Sequence, residues 1–283
     1  GVFQPPERRN FGVVFQDYLL FPHLDVVDNV AFGLRARGMS ARAARRAATR
    51  WLDGFGLGAF SHLKPDRLSG GQAQQVALAR TLAATPDLLL LDEPLAALDI
   101  TTRTQLRRSL STHLAEFPGP RLVITHDPTE AFLLADRVVI MENGATVQSG
   151  TPDQIRRHPA TPYVADLVGV NLVTGQAVAG TVTTADGHRV LTADTALAGR
   201  VLLNIHPRSI SLHPSRPGGS PRNTWQTVIT AVEPLGDRTR FETGPPLPLT
   251  VELTAAAHRD LQLEPGGSVW VAIKATEIVT HPA

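Results

Sequence analysis

The chain has 283 residues, of which 42% are hydrophobic and 19% are charged, so its length and composition suit a globular protein of one large or two ordinary domains. Its formal net charge of +1 argues against a surface that coats nucleic acid, since such a surface needs a strong excess of basic residues. The absence of cysteine excludes disulfides and thiolate metal sites, and every apolar run is far shorter than the ~20 residues that cross a bilayer.

The first part of the chain, residues 1–168, alternates helical patterns with short apolar runs. The runs GVVF (12–15), LLLL (88–91) and LVIT (122–125) predict strands that are buried on both faces. The helical stretches between the later two predict crossover connections, and therefore a parallel sheet. Earlier, SARAARRAATRWLDGFG predicts an arginine-rich helix that Ser40 caps.

From Gly169 onward the pattern changes to short β-like runs rich in Val, Thr and Leu, separated by Gly and Pro. This change predicts a second, all-β domain over residues 169–283. Within it, VLLNIHPRSISLHP (201–214) and VWVAIKATEIVTHP (269–282) align without a gap, and both end in His-Pro. Two similar β units in tandem predict a small paired barrel.

Two acidic residues follow the leucine run directly, at the end of a parallel strand where open α/β sheets bind ligands. The carboxylate of Asp92 has the chemistry to hold a magnesium ion, directly or through water. Glu93 is placed to polarise a water for attack on a phosphoryl group. Earlier in the chain, Ser69, Gly70 and Gly71 open a predicted helix, and backbone N–H groups at such a start suit a phosphate.

Five motifs identify residues 1–168 as resembling the ATP-binding cassette of ABC transporters, and they follow the order of that family. They are the Q-loop VVFQD, the signature LSGGQ, the Walker B strand LLLLDEP, the D-loop LAALD and the switch segment VITHD. The resemblance implies an α/β, P-loop-type ABC ATPase domain. It also implies a helical subdomain at about 18–67 that receives a coupling helix from the membrane subunit. Asp25 and Gln75 depart from the pattern, where Ser or Thr and Arg are more usual.

The same resemblance implies a role for each matching residue, with ATP and Mg²⁺ as cofactors. Glu93 and His126 are expected to be catalytic, and Asp92 and Gln16 to contact the magnesium ion. The expected ATP-binding residues are Gln16, Ser69, Gly70, Gly71, Gln72 and Asp99. In the family, two cassettes bind ATP head to tail, so the signature of one chain completes the Walker A site of the other.

The sequence contains no G-x-x-x-x-G-K-[ST], which is the loop that cradles the α- and β-phosphates. Lys64 is followed by Pro65, and Lys274 lies in the β part. Because the sequence starts with Gly1 inside a recognisable domain and every later motif is intact, we expect the missing strands and loop to precede it in the complete protein. A degenerate gene is the alternative. On the first view the complete protein is an ATPase, and this chain alone is not.

The β part resembles the OB-like TOBE/Mop barrel domain of importer ATPases, and two stretches resemble its molybdate-binding version. SPRNTW (220–225) is similar to a Ser-Ala-Arg-Asn motif, and AIKATEI (272–278) to an Ile-Lys-Ala strand. A hydroxyl, backbone N–H groups and an ammonium suit a tetrahedral oxyanion, which accepts hydrogen bonds. Ser220, Arg222 and Lys274 are therefore the candidate oxyanion ligands. A purely structural barrel is the alternative.

The sequence thus predicts the ATP-hydrolysing subunit of an ABC importer, most similar to those for molybdate. Sulfate, iron, polyamine and quaternary-amine importers are alternative assignments, and a non-catalytic oxyanion sensor is a rival of another class. A soluble ABC ATPase of translation or DNA repair is disfavoured, because this chain has one cassette and a barrel. The expected partners are a second copy in a head-to-tail homodimer, transmembrane permease subunits and, indirectly, an extracytoplasmic solute-binding protein, with no nucleic acid. The expected location is peripheral, on the cytoplasmic face of the cell membrane.

Overall fold

A computed structural model describes Pro5 and residues 9–96 and 98–283. The chain divides into two compact units, Gly1–Asp136 and Arg137–Ala283. This division falls at Asp136, whereas the change of sequence pattern falls after Val168. The domain boundary at 168/169 stays a prediction.

In the first unit, helices pack against a short sheet. Its elements are β1 (Phe11–Val14), α1 (Val26–Ala36), α2 (Ala41–Gly54), α3 (Gly70–Ala83), β2 (Leu88–Asp92), α4 (Ile100–Glu116), β3 (Arg121–Ile124) and α5 (Pro128–Leu134). The strands are parallel in the order β1-β2-β3, as the crossover pattern predicts.

Side-chain caps define where these helices begin. Ser40 accepts a hydrogen bond from the backbone of Ala43, as predicted for α2. Asp25, the departure from the family pattern, accepts one from Asp28 N–H at 2.8 Å and so caps α1. A carboxylate is a good N-cap and also suits the positive end of the helix dipole, so this substitution preserves the start of α1.

The prediction that the three strands are buried on both faces was wrong. Leu89 and Leu91 are buried in one core cluster with side chains of α3 and α4. Leu88 and Leu90, which alternate with them, are only half-buried, and Leu122 and Ile124 of β3 are each 54% exposed. Side chains alternate across a strand, and the described helices cover one face of this sheet only.

The second unit is mostly β-structure. Its helices are α6 (Pro152–Arg157), α7 (Pro162–Val168) and α8 (Ala255–Leu261). Its strands are β4 (Val138–Glu142), β5 (Ala145–Gly150), β6 (Asn171–Val178), β7 (Thr181–Thr184), β8 (Arg189–Leu191), β9 (Gly199–Ile205), β10 (Ile210–His213), β11 (Asn223–Leu235), β12 (Arg238–Thr243), β13 (Thr250–Thr254), β14 (Ser268–Ile273) and β15 (Ile278–Pro282). The β4–β5 hairpin precedes two five-stranded sheets, ordered β15-β9-β6-β7-β8 and β10-β14-β11-β12-β13.

The two matched sequence segments exchange strands between these sheets. Each segment is a strand, a short 3₁₀ turn and a second strand: β9 and β10 in one case, β14 and β15 in the other. Strand β15 pairs with β9, and β10 pairs with β14, both antiparallel. The pairs Ile205–Ile278 and Ile210–Ile273 lie at equivalent positions, so each segment contributes one strand to each sheet.

A buried apolar core joins the two sheets, with Phe241, Leu203, Ile205 and Ile273 among its largest side chains. Asn171 connects them as well, because its amide bonds to Ile205 C=O and to both backbone polar groups of Thr250. Among the described residues, no helix combines the length and apolar character needed to cross a membrane.

Candidate active site

The candidate active site lies where β2 and β3 end side by side. Asp92, the last residue of β2, is the register partner of Ile124, the last residue of β3. Glu93 follows with a φ of 47°, a left-handed backbone conformation that a non-glycine residue adopts at a cost of roughly 1–3 kcal/mol. Its N–H donates to Ile124 C=O at 2.9 Å, which fixes this turn against the neighbouring strand. The strained turn aims the Glu93 side chain across the sheet edge.

Glu93 and His126 form the central contact of the site. The distance from His126 Nδ1 to Glu93 Oε1 is 2.9 Å, and the side chains are 76% and 20% exposed respectively. The hydrogen bond and charge of Glu93 raise the pKa of His126 above its ordinary value. With Glu93 ionised, Nδ1 must donate, which leaves Nε2 directed away from the carboxylate for another ligand. The structure therefore brings the two predicted catalytic residues together.

A set of polar contacts around His126 has no counterpart among the sequence predictions. The Thr125 hydroxyl donates to Glu130 at 2.9 Å and accepts from Asp127 N–H at 3.0 Å. Asp127 caps α5 through Thr129 N–H at 2.8 Å. Glu130 is buried, and burial raises the pKa of its carboxyl group. These bonds hold the backbone on both sides of His126.

Two arginines of α4 anchor the loops at this edge of the sheet. Arg107 Nη2 donates to Asp127 at 2.9 Å and lies 3.9 Å from Glu130. Arg103 Nη2, one turn earlier, donates to the backbone carbonyls of Ala96 and Leu98. The only sequence signal for this pair is the i,i+4 spacing of two basic residues on a helix, which does not show what they bind.

The signature segment begins α3 with a capping box. Ser69 Oγ accepts from Gln72 N–H, and the Gln72 side chain accepts from Ser69 N–H, so both predicted ligand side chains take part in the cap. Ser69 and Gly70 are exposed at the helix start, whereas Gly71 is buried against α4. Asp99 caps α4 through Thr102 N–H at 3.0 Å. The predicted nucleotide-facing segments are thus the N-termini of two helices, which suit anions.

Gln16 is exposed two residues beyond β1, at the same edge as Asp92. The turn after it includes positive φ angles at Tyr18 and Leu19, and Arg80 of α3 stabilises it by donating to both of their carbonyls at 2.9 and 2.8 Å. Sequence analysis did not identify Arg80. This residue fixes the course of the chain that leaves Gln16.

The donor set at this edge fits a magnesium ion shared with a nucleotide. Asp92 offers one exposed carboxylate and Gln16 one amide oxygen, and Mg²⁺ commonly takes one or two carboxylates plus substrate phosphates and water. In the part of the chain that the structure describes, no group of three or more His, Cys, Asp or Glu side chains is arranged to hold a metal ion. The described residues thus offer no all-protein metal cage.

In the second unit, the three candidate oxyanion ligands Ser220, Arg222 and Lys274 are all exposed. Asn223 pairs with Ile273 in the β11–β14 ladder, so Arg222 and Lys274 flank this pair at neighbouring positions just beyond the ladder. Two cations at one end of paired strands suit an anion.

Asn223, part of the quoted motif, is buried at 4% exposure and has a structural role. Its side chain accepts from Leu191 N–H at 2.7 Å and donates to Leu191 C=O at 2.9 Å. It therefore joins β11 to β8 instead of facing solvent beside the two exposed cations.

Two family models and several known proteins match this chain. Residues 4–96 match the ABC transporter family, and residues 219–279 match the TOBE domain. A molybdenum import ATP-binding protein of Mycobacterium tuberculosis is 38% identical over 100% of this chain and 80% of its own length. An Fe(3+) ions import ATP-binding protein of Streptomyces avermitilis is 38% identical over 97% of this chain and 78% of its own length. A sulfate/thiosulfate import ATP-binding protein of Chromobacterium violaceum is 38% identical over 98% of this chain and 76% of its own length.

The fold, the motifs and these matches define an ABC-type ATPase domain followed by a β-rich TOBE domain. The chain belongs to the family of ATP-binding proteins of ABC importers. Nucleotide binding follows from that membership, and the predicted family and fold class are confirmed.

Proposed function

We propose that this chain is the ATP-hydrolysing subunit of an importer in which Glu93 and His126 act on the γ-phosphate region. The 2.9 Å contact between Glu93 and His126 carries the proposal, because it joins a carboxylate able to polarise water to an imidazole with a free Nε2. His126 Nε2 then contacts the γ-phosphate while Nδ1 orients the Glu93 carboxylate. Asp92 and Gln16 hold Mg²⁺, which neutralises phosphate charge when it is bound.

The second half of the nucleotide site comes from a second copy of the chain in a head-to-tail homodimer. The exposed start of α3 at Ser69 and Gly70 supports this assignment, since it presents unhindered N–H groups to an anion. The sequence has no G-x-x-x-x-G-K-[ST], so hydrolysis requires a protein that contains that loop, and this chain alone is inactive.

The partners in transport are two permease subunits, contacted through the helical segment at about 18–67. The complex then lies on the cytoplasmic face of the membrane, with a solute-binding protein acting on its other side. The names of the relatives as import ATP-binding proteins support this arrangement.

The cargo we favour is molybdate. The neighbouring cations Arg222 and Lys274 suit a tetrahedral oxyanion. One relative that aligns over 100% of this chain is a molybdenum import ATP-binding protein. A sulfate/thiosulfate relative and an iron relative have the same identity to this chain, so sulfate and iron are the alternative cargoes. The rival of another class is an oxyanion sensor that hydrolyses no ATP.

Calorimetric titration of this chain with molybdate, tungstate, sulfate and phosphate tests the oxyanion part. We expect molybdate and tungstate to bind, and Lys274→Ala or Arg222→Ala to abolish binding, while Arg259→Ala, an exposed arginine of α8, leaves it intact. Binding that survives both substitutions, or no binding at all, would reject this oxyanion site.

The catalytic part is tested in the assembled transporter, with a form of the protein that also contains the phosphate-binding loop. Glu93→Gln and His126→Ala should each lower kcat by about 10²–10⁴-fold, the usual contribution of general acid–base groups. A transporter with unchanged kcat in both variants would contradict the proposed roles. Oxyanion binding without any hydrolysis in the unsubstituted complex would favour the sensor.

A further inference from the structure

Arg107 links α4 to the segment that carries His126. Its side chain is 18% exposed, and its Nη2 atom contacts two carboxylates, at 2.9 Å from Asp127 and 3.9 Å from Glu130. Glu130 has a side chain that is only 3% exposed. A buried carboxylate needs a cation or donors nearby, and Arg107 supplies the cation.

These contacts fix the backbone on either side of His126 but do not themselves hold its ring. The Thr125 hydroxyl bonds to both Asp127 and Glu130, and Arg107 ties this set to a different element. The imidazole itself is mostly exposed, and its side chain contacts Glu93 at 2.9 Å. Without a fixed backbone, a single exposed ion pair is weak, because solvent screens it and side-chain entropy opposes it.

Helix α4 gives Arg107 a stable position from which to act. Arg103, one turn earlier, donates to the carbonyls of Ala96 and Leu98, and Asp99 caps the helix start. Glu93 begins a tight turn, in which the N–H of Ala96 donates to the carbonyl of Glu93. Ala96, Leu98 and the segment 125–130 are therefore all anchored on α4.

We propose that Arg107 is a positioning residue that holds the segment 125–130 on α4 and so keeps the His126 imidazole on Glu93. The inference about geometry is independent of catalysis, whereas its consequence for ATP hydrolysis rests on the proposed function. The effect of Arg107 passes through Asp127 and Glu130.

Nitrogen NMR of the His126 ring in this chain, above its pKa, tests the geometry. While Glu93 holds the ring, the neutral imidazole keeps its proton on Nδ1. We expect Arg107→Ala to move that proton largely to Nε2, Arg107→Lys to restore Nδ1–H in part, and Arg108→Ala, an exposed neighbour, to change nothing. An Nδ1–H tautomer that persists in folded Arg107→Ala would overturn the proposal.

Asp127→Asn is the second variant, should Arg107→Ala fail to fold. Asparagine still caps α5, so the helix persists while the ion pair with Arg107 is lost. The same shift of the proton toward Nε2 is expected, to a smaller extent. An unchanged tautomer in Asp127→Asn would also count against the proposal.

Kinetics in the assembled transporter separate this inference from the proposed function. Arg107→Ala should lower kcat about 10- to 100-fold with KM for ATP unchanged, since a small misplacement of a catalytic group costs about that much. Combined with His126→Ala, it should add no further loss. If His126→Ala itself leaves kcat unchanged, the proposed function fails while the NMR result on Arg107 still stands. A further loss in the double variant would reject the positioning role.

Discussion

Gly71 lies so close to Thr102 that a Cβ atom on the glycine would be 2.5 Å from Thr102 Cγ2. The same Cβ would lie 3.3 Å from Leu106 Cδ1. Thr102 is also the residue whose N–H bonds to the Asp99 cap, so the start of the signature helix packs directly on the start of α4. The second glycine of the signature therefore has a packing role in addition to any contact with nucleotide.

Gly71→Ala should destabilise the first unit. The added methyl meets a β-branched side chain with a stiff χ1, and overpacking of this kind costs about 1–3 kcal/mol. Gly54→Ala is the control, because it is also helical and a Cβ there has nothing within 4 Å. That variant should be neutral or gain up to about 1 kcal/mol. Urea unfolding measures both, and equal midpoints for the two variants would contradict the packing argument.

Glu93→Gln should return the pKa of His126 toward its ordinary value of 6.5, because it weakens the hydrogen bond and removes the charge that together raise this pKa. An imidazole whose pKa is raised on folding adds stability below its unfolded pKa. That stability is lost as the pH rises through the folded pKa. Since the ring is mostly exposed, the effect on stability is small, and an NMR pH titration of His126 is the sharper measurement. Glu116→Gln removes an equal charge at the far end of α4 and should leave the titration unshifted, whereas an unshifted titration in Glu93→Gln would refute the contact.

Asp99→Ala should destabilise the start of α4, since it removes the cap on Thr102. Hydrogen bonds from Thr102 lower the pKa of Asp99 from its ordinary value of 3.8. A carboxylate with a depressed folded pKa adds stability above its unfolded pKa and loses it as the pH falls through the folded pKa. The difference in Tm between Asp99→Ala and the natural chain should therefore shrink in acid. Asp99→Asn keeps a capping oxygen that does not titrate, so the difference in Tm between Asp99→Asn and Asp99→Ala should not change with pH. A difference between Asp99→Ala and the natural chain that stays constant into acid would count against the charged cap.

Asn223→Ala should destabilise the second unit by about 1–3 kcal/mol, because it leaves the N–H and C=O of Leu191 without their partner. Arg222→Ala, an exposed neighbour, should stay within about 0.5 kcal/mol of the natural chain. Guanidinium unfolding gives both values. A stable Asn223→Ala variant that has lost oxyanion binding would instead assign Asn223 to the ligand site.

The sequence predicted those parts of the site that depend on residues close together along the chain. Asp92 and Glu93 follow an apolar run, and His126 follows another, so the parallel pairing of those runs brings the residues to one edge. The helix start at Ser69, Gly70 and Gly71 was likewise predicted from adjacent residues.

The parts that sequence did not predict depend on contacts between distant residues. Arg107 and Asp127 are twenty positions apart, and nothing in either local pattern indicates the ion pair. Leu90 and Leu122 show the same limit for burial: an apolar run marks a strand, but the number of covered faces depends on which helices pack against it.

The exchange of strands between the two sheets has a consequence for synthesis of the protein. Strand β14 lies inside the second sheet, between β10 and β11, and β15 is the partner of β9 in the first sheet. Both strands fall within residues 268–282, and they are synthesised after β9 and β10. Until then, β9 and β10 each lack a neighbour and offer open hydrogen-bonding edges to other chains. Both sheets are therefore completed only by residues 268–282, and a deletion of these residues disturbs both sheets at once.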